Sequence, residues 1–185
     1  MFKYRVPKAI LLTVPYTGTH FAKSLFEKVG VFSTYDMPNA HWLDGNIREQ
    51  WDKIIQRKLV ITARDPYLTA IRSIKTGHET PIEFIAESWA TCFEAMQQAD
   101  HFILDIGCKK ENRLNHVLEL INFVGIDLGT HREDVTSYVD AWLPENESHS
   151  EHKVRYLETG ELPSRYDWSL LDPAVNWYKA LTINT

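Results

Sequence analysis

The sequence predicts an α/β domain of three layers, with helices on both faces of a mostly parallel central sheet. Short apolar runs at residues 9–14, 59–63 and 101–106 have the length and composition of buried strands. Stretches with apolar residues at helical spacing alternate with these runs, the pattern that builds βαβ units. The chain has 185 residues, 44% hydrophobic and 24% charged, with no repeat or Gly/Ser linker to divide it. One domain spanning residues 1–185 is expected, with a core over 1–129 and a loop and C-terminal helical segment over 130–185 packing on it.

Each element follows from local residues. After the first strand, Pro15-Tyr16-Thr17-Gly18 turns the chain; then Phe21, Ala22, Leu25, Phe26 and Val29 recur at helical spacing, with Gly30 as C-cap. Asn39-Ala40-His41-Trp42 reads as a loop. The second strand, Leu59-Val60-Ile61-Thr62-Ala63, ends at Arg64-Asp65-Pro66, and a helix runs on to Lys75 with Pro66 near its first turn. Residues 81–99 form an amphipathic helix, 101–106 the third strand, and 113–124 a helix ending at Gly125. Residues 144–152 are polar and acidic and read as a solvated loop rather than a metal site, despite His149 and His152. Trp168, Leu170, Leu171, Trp177, Tyr178 and Leu181 then mark a helical segment folding back.

Composition excludes several classes. Twenty basic against 25 acidic residues leave a net charge of −5, which disfavours coating nucleic acid or an anionic membrane. A small anionic ligand needs only a few donors and is not excluded. Cys92 and Cys108 cannot build a disulfide framework, so a reducing, cytoplasmic setting is expected. The apolar runs fall far short of the roughly 18 residues of a membrane span. Lys3, Arg5 and Lys8 precede one of them in signal-peptide order, but Pro15 cuts it short.

The segment Thr13-Val14-Pro15-Tyr16-Thr17-Gly18-Thr19-His20-Phe21 follows a strand and opens a helix. Backbone N–H groups and the helix dipole suit an anion there, Gly18 permits close approach, and Thr17 and Thr19 add hydroxyls. An ordinary tight strand–turn–helix is the plain alternative. It is not a Walker A loop, because no Gly precedes Lys23-Ser24. A small P-loop kinase is therefore the weakest of the functional readings.

Together with Leu59-Val60-Ile61-Thr62-Ala63-Arg64-Asp65-Pro66, this loop resembles the paired motifs of the sulfotransferase family: a 5′-phosphosulfate loop, then strand-Arg-Asn/Asp-Pro and a helix carrying a Ser. Weaker similarity continues through residues 84–89, 101–105 and 116–125. The resemblance implies a P-loop-containing, sulfotransferase-like nucleotide-binding fold. It also implies a cofactor, 3′-phosphoadenosine 5′-phosphosulfate (PAPS) or its desulfated form (PAP), and no metal. Tyr16, Thr17, Gly18, Thr19 and His20 would hold the 5′-phosphosulfate, and Arg64 the 3′-phosphate through a bidentate guanidinium. The family's Ser stands eight positions after the Arg; here that is Arg72, with Ser73 next, and either fills the role. His41, 23 residues ahead of Arg64, stands where cytosolic members place their catalytic base, with a side chain that titrates near neutrality. A solvated loop His is the alternative.

Tyr16 stands where the family has a Lys that neutralises the departing bridging oxygen, and a tyrosine hydroxyl brings no charge. Lys23, one helical turn beyond Thr19, and His20, when protonated, are the nearby sources of positive charge, with a solvated helix face the plain alternative for Lys23; Lys153 and Arg155 are the C-terminal candidates. Two functions follow: transfer of a sulfuryl group to a hydroxyl or amine on a small-molecule or glycan acceptor, or a catalytically weakened module that binds PAP or PAPS. The chain is short for the family, and the shortfall is expected in the acceptor-binding and C-terminal parts.

Overall fold

The computed structural model describes residues 9–30, 39–41, 51–77, 79–142 and 151–183. Its centre is a four-stranded sheet: β1 (Ile10–Thr13), β2 (Asn39–His41), β3 (Leu59–Ala63) and β4 (His101–Asp105). The order is β2-β1-β3-β4, and every pairing is parallel. Parallel neighbours require crossovers, so all four strands end at the same edge.

Side chains alternate across the sheet, and both faces are covered. Leu11, Val60 and Leu104 face a core completed by α1 (Thr19–Lys28), α5 (Lys110–Val124) and α6 (Arg132–Ala141). Ile10, Leu12, Leu59 and Ile61 face the other, completed by α3 (Pro66–Lys75), α4 (Pro81–Gln98) and α8 (Asp172–Ile183). The expected α/β architecture with a parallel sheet is present. Two short helices, α2 (Trp51–Ile55) and α7 (Glu151–Thr159), and 3-10 turns at Gly129–His131 and Trp168–Leu171 complete the described elements. No helix among the described residues is long and apolar enough to cross a membrane.

The strands and helices of the core match their sequence expectations closely, and the exceptions have physical causes. Residues 39–41, read as a loop, form β2 by taking up the free edge of β1, a pairing made by backbone rather than by an apolar run. Residues 132–141, given no helix from sequence, form α6, whose Val135 and Val139 alone are buried. Of the stretch read as a loop at 144–152, residues 143–150 lie outside the described part, while Glu151 and His152 open α7.

Trp89 of α4 is 1% exposed and clusters with Phe93 and Trp177, at centroid distances of 5.8 and 5.1 Å. Trp89→Ala should therefore lose about 3–5 kcal/mol of unfolding free energy in urea titrations, far more than Trp177→Ala on the half-buried side of the same cluster.

Candidate functional site at the carboxyl edge of the sheet

The first loop is built around Val14. Thr17 N–H donates to the Val14 carbonyl at 3.3 Å, closing a turn with Pro15 second and Tyr16 third. Tyr16 takes φ 66°, the left-handed conformation that the third residue of a type II turn requires and that glycine normally supplies. Gly18 follows at φ 95° as N-cap of α1, with no side chain capping that end. The N–H groups of Thr19, His20 and Phe21 have no acceptor among the described residues, and no acidic residue lies in the first turn. That end of α1 presents donors and a positive dipole end.

Thr17 departs from its expected role. It is fully buried, its hydroxyl donates to the Val14 carbonyl at 2.6 Å, and it accepts from Thr62 of β3 at 2.6 Å. With that donor and its N–H both given to Val14, Thr17 shapes the loop from within and its hydroxyl does not face a ligand. Thr19 is half-buried and His20 exposed on the first turn of α1.

Tyr16 leans across to the end of α3. Thr76 donates to the Ser73 carbonyl at 2.9 Å, so the Tyr16 O–H is the donor in its 2.8 Å bond with the Thr76 hydroxyl. The C-terminal end of α3 thus lies beside the first loop instead of at the opposite edge of the sheet. This brings the last turns of α3 to the loop: Arg72 is half-buried, and Ser73 is fully buried with an Oγ that has no hydrogen-bond partner. Arg64, 8% exposed, stands just past the end of β3. Asp65 caps α3, accepting from Tyr67 N–H at 2.8 Å and Leu68 N–H at 3.3 Å. His41 is the last residue of β2, in register with Thr13, so the candidate base also ends a strand at this edge. Trp42 lies outside the described residues, as do His149 and the side chain of His152.

Sequence reasoning did not anticipate the roles of Tyr156 and Tyr178: it read Tyr178 only as part of the C-terminal helical segment and did not single out Tyr156. Tyr156 of α7 donates to Asp65 Oδ2 at 3.0 Å, and Tyr178 of α8 donates to Asp105 Oδ1 at 3.0 Å. Both aspartates end or follow strands, so the C-terminal helices are fastened onto the same edge. Gly107 makes room for this: its N–H donates to Asp105 Oδ1 at 2.8 Å, and a Cβ there would meet the Tyr178 hydroxyl at 2.5 Å. Burial pushes the Tyr178 phenol up, as does Asp105, while Arg64 opposes the shift and so belongs to the same charge cluster. The signal available in sequence was a strand-end Asp followed two residues later by Gly.

Of the C-terminal cations, Arg155 is engaged elsewhere: its Nε donates to Glu161 at 2.5 Å, an exposed pair on α7 and the turn beyond it. Burial pushes the Cys92 thiol up to about 12, which makes it a packing group and not a nucleophile. No group of three or more His, Cys, Asp or Glu among the described residues is arranged to hold a metal ion. Comparison with protein-family models, with curated proteins and with solved structures returns no match for this chain.

Two predictions test this edge. A Cβ on Gly18 would lie 2.5 Å from Ile106 Cδ1 at a φ that side chains rarely adopt. Gly18→Ala should cost at least about 1 kcal/mol in chemical denaturation, and adding Ile106→Val should recover only the steric part. Burial raises the Asp105 carboxyl above its ordinary value, outweighing the hydrogen bonds it accepts from Gly107 and Tyr178. A folded value raised above the unfolded one favours the protonated form, so stability falls as pH rises from the ordinary carboxyl value, about 4, through the raised one. Unfolding free energies across that window should show the wild type losing ground to Asp105→Asn as pH rises; parallel curves would contradict the assignment.

Proposed function

We propose that the protein binds PAPS at the carboxyl edge of the sheet and transfers its sulfuryl group to a hydroxyl or amine acceptor. The observation that carries the reading is the meeting of two phosphate-suited groups at one edge. The end of α1 offers Thr19, His20 and Phe21 N–H groups that have no acceptor among the described residues, and beside it stand Arg64 and the orphaned Ser73 Oγ. A buried hydroxyl with no partner costs about 1–3 kcal/mol, which a bound anion would offset. These groups fit a nucleotide with phosphate at both ends of its ribose.

In this reading the α1 N–H groups bind the 5′-phosphosulfate, and Arg64 with Ser73 binds the 3′-phosphate. Ser73, rather than Arg72, then fills the serine role, because its Oγ is the group left unsatisfied. The nucleotide supplies an activated sulfuryl group when bound. His41 accepts the acceptor's proton on a ring nitrogen. The 5′ end is held by a loop whose residue 16 carries no charge.

Tyr16 favours a second reading, a module that binds the nucleotide without efficient transfer. Its hydroxyl is engaged by Thr76 and no ammonium stands in its place. Electrostatic donors at developing charge are worth roughly a hundredfold or more in rate.

The test separates the two. PAP should raise the melting temperature of wild type, and Arg64→Ala should abolish the shift. Labelled PAPS with an acceptor panel should give transfer that His41→Ala loses and Tyr16→Lys accelerates by about a hundredfold. Binding without transfer, in wild type and Tyr16→Lys alike, supports the second reading; no shift with PAP overturns both.

A further inference from the structure

A cavity of about 330 Å³ opens between β4, α5 and the end of α8. Its polar lining comes from Asp105 and from one face of α5, where Asn112, Asn115, His116 and Glu119 recur at helical spacing; Leu181 of α8 supplies an apolar wall. No Lys or Arg among the described residues lines it.

The chemistry of this lining is one-sided. Asp105, 3% exposed, is the most deeply buried of the polar residues, and its Oδ2 has no hydrogen-bond partner, although Oδ1 accepts from Gly107 and Tyr178. His116 does not neutralise it. Its Nε2 accepts the Asp105 N–H at 3.0 Å, so the ring proton sits on Nδ1, 4.0 Å from Glu119 Oε2. A neutral imidazole, two carboxylates and two carboxamides leave a surplus of acceptors. What is missing is a cationic donor beside a buried carboxylate oxygen.

We propose that this cavity binds a small organic ammonium, its cationic head between Asp105 and Glu119 and its aliphatic part against Leu181. A metal ion fits less well, since no metal-holding cluster is found among the described residues. The volume stands at the lower end of small-molecule pockets, which suits a short alkyl chain rather than a macromolecule. The site shares no lining residue with the α1 end or with Arg64, and it does not depend on the nucleotide reading.

The experiment compares n-butylammonium with its uncharged isostere n-butanol, followed by amide chemical shifts and thermal stability of the full chain. The ammonium should perturb residues 105–119 and raise the melting temperature, and the alcohol should do neither. Asp105→Asn should weaken ammonium binding about tenfold or more, and Glu119→Gln, at the exposed rim, a few-fold. Should Asp105→Asn fail to fold, Glu119→Gln and Asn115→Leu carry the same reading. Arg64→Ala should remove the PAP response without weakening ammonium binding. An equal response to amine and alcohol, shifts mapping outside 105–119, or affinity unchanged in all foldable cavity variants would overturn the proposal.

Discussion

The loop after β1 is held by a buried chain of hydroxyls, from Thr62 to Thr17 and from Thr17 to the Val14 carbonyl. Both threonines are fully buried, so each bond replaces a polar group's contact with water and would be expensive to leave unmade. The chain ties the first loop to the neighbouring strand and keeps the turn at Val14 closed. Tyr16 is thereby held at positive φ, and Gly18 is pressed against Ile106 of the segment after β4. Strain of this kind persists only where the surroundings over-determine it. The start of α1, with its N–H groups facing outward, inherits its position from that internal tie.

The parallel register does the rest of the positioning. Thr13 pairs with His41 on one side and Thr62 on the other, and Ala63 pairs with Asp105, so four chain segments leave the sheet side by side. The C-terminal helices close over these ends through two phenol–carboxylate bonds, Tyr156 to Asp65 and Tyr178 to Asp105. Residues beyond 150 thus belong to the site's architecture as much as the motifs do. Asp65 illustrates the economy: one oxygen caps α3 while the other anchors α7.

The legible parts of the fold were those written in local periodicity. β3 and the starts and ends of α3 and α4 follow from apolar runs, Pro66, Pro81 and the cap at Asp65, and Gly125 ends α5 at φ 76°. β2 was not legible because backbone pairing with β1, not its own side chains, makes Asn39–His41 a strand. α6 was missed because two buried valines over ten residues give little periodic signal. Within the site, Gly18 and Arg64 could be placed from strand–turn punctuation. The inward rotation of the Thr17 hydroxyl, the reach of Tyr16 to Thr76 and the orphaning of Ser73 depend on contacts between residues tens of positions apart, which no local pattern encodes.

The central claim is that the N–H groups at the start of α1, without acceptors among the described residues, are an anion site aided by Arg64 and Ser73. Amide chemical shifts recorded during a titration with PAP test it most directly. The account predicts saturable shifts centred on Gly18, Thr19 and His20, accompanied by Arg64 and Ser73, and lost in Arg64→Ala. Saturable binding that leaves these amides unmoved, or no binding at all, would contradict it.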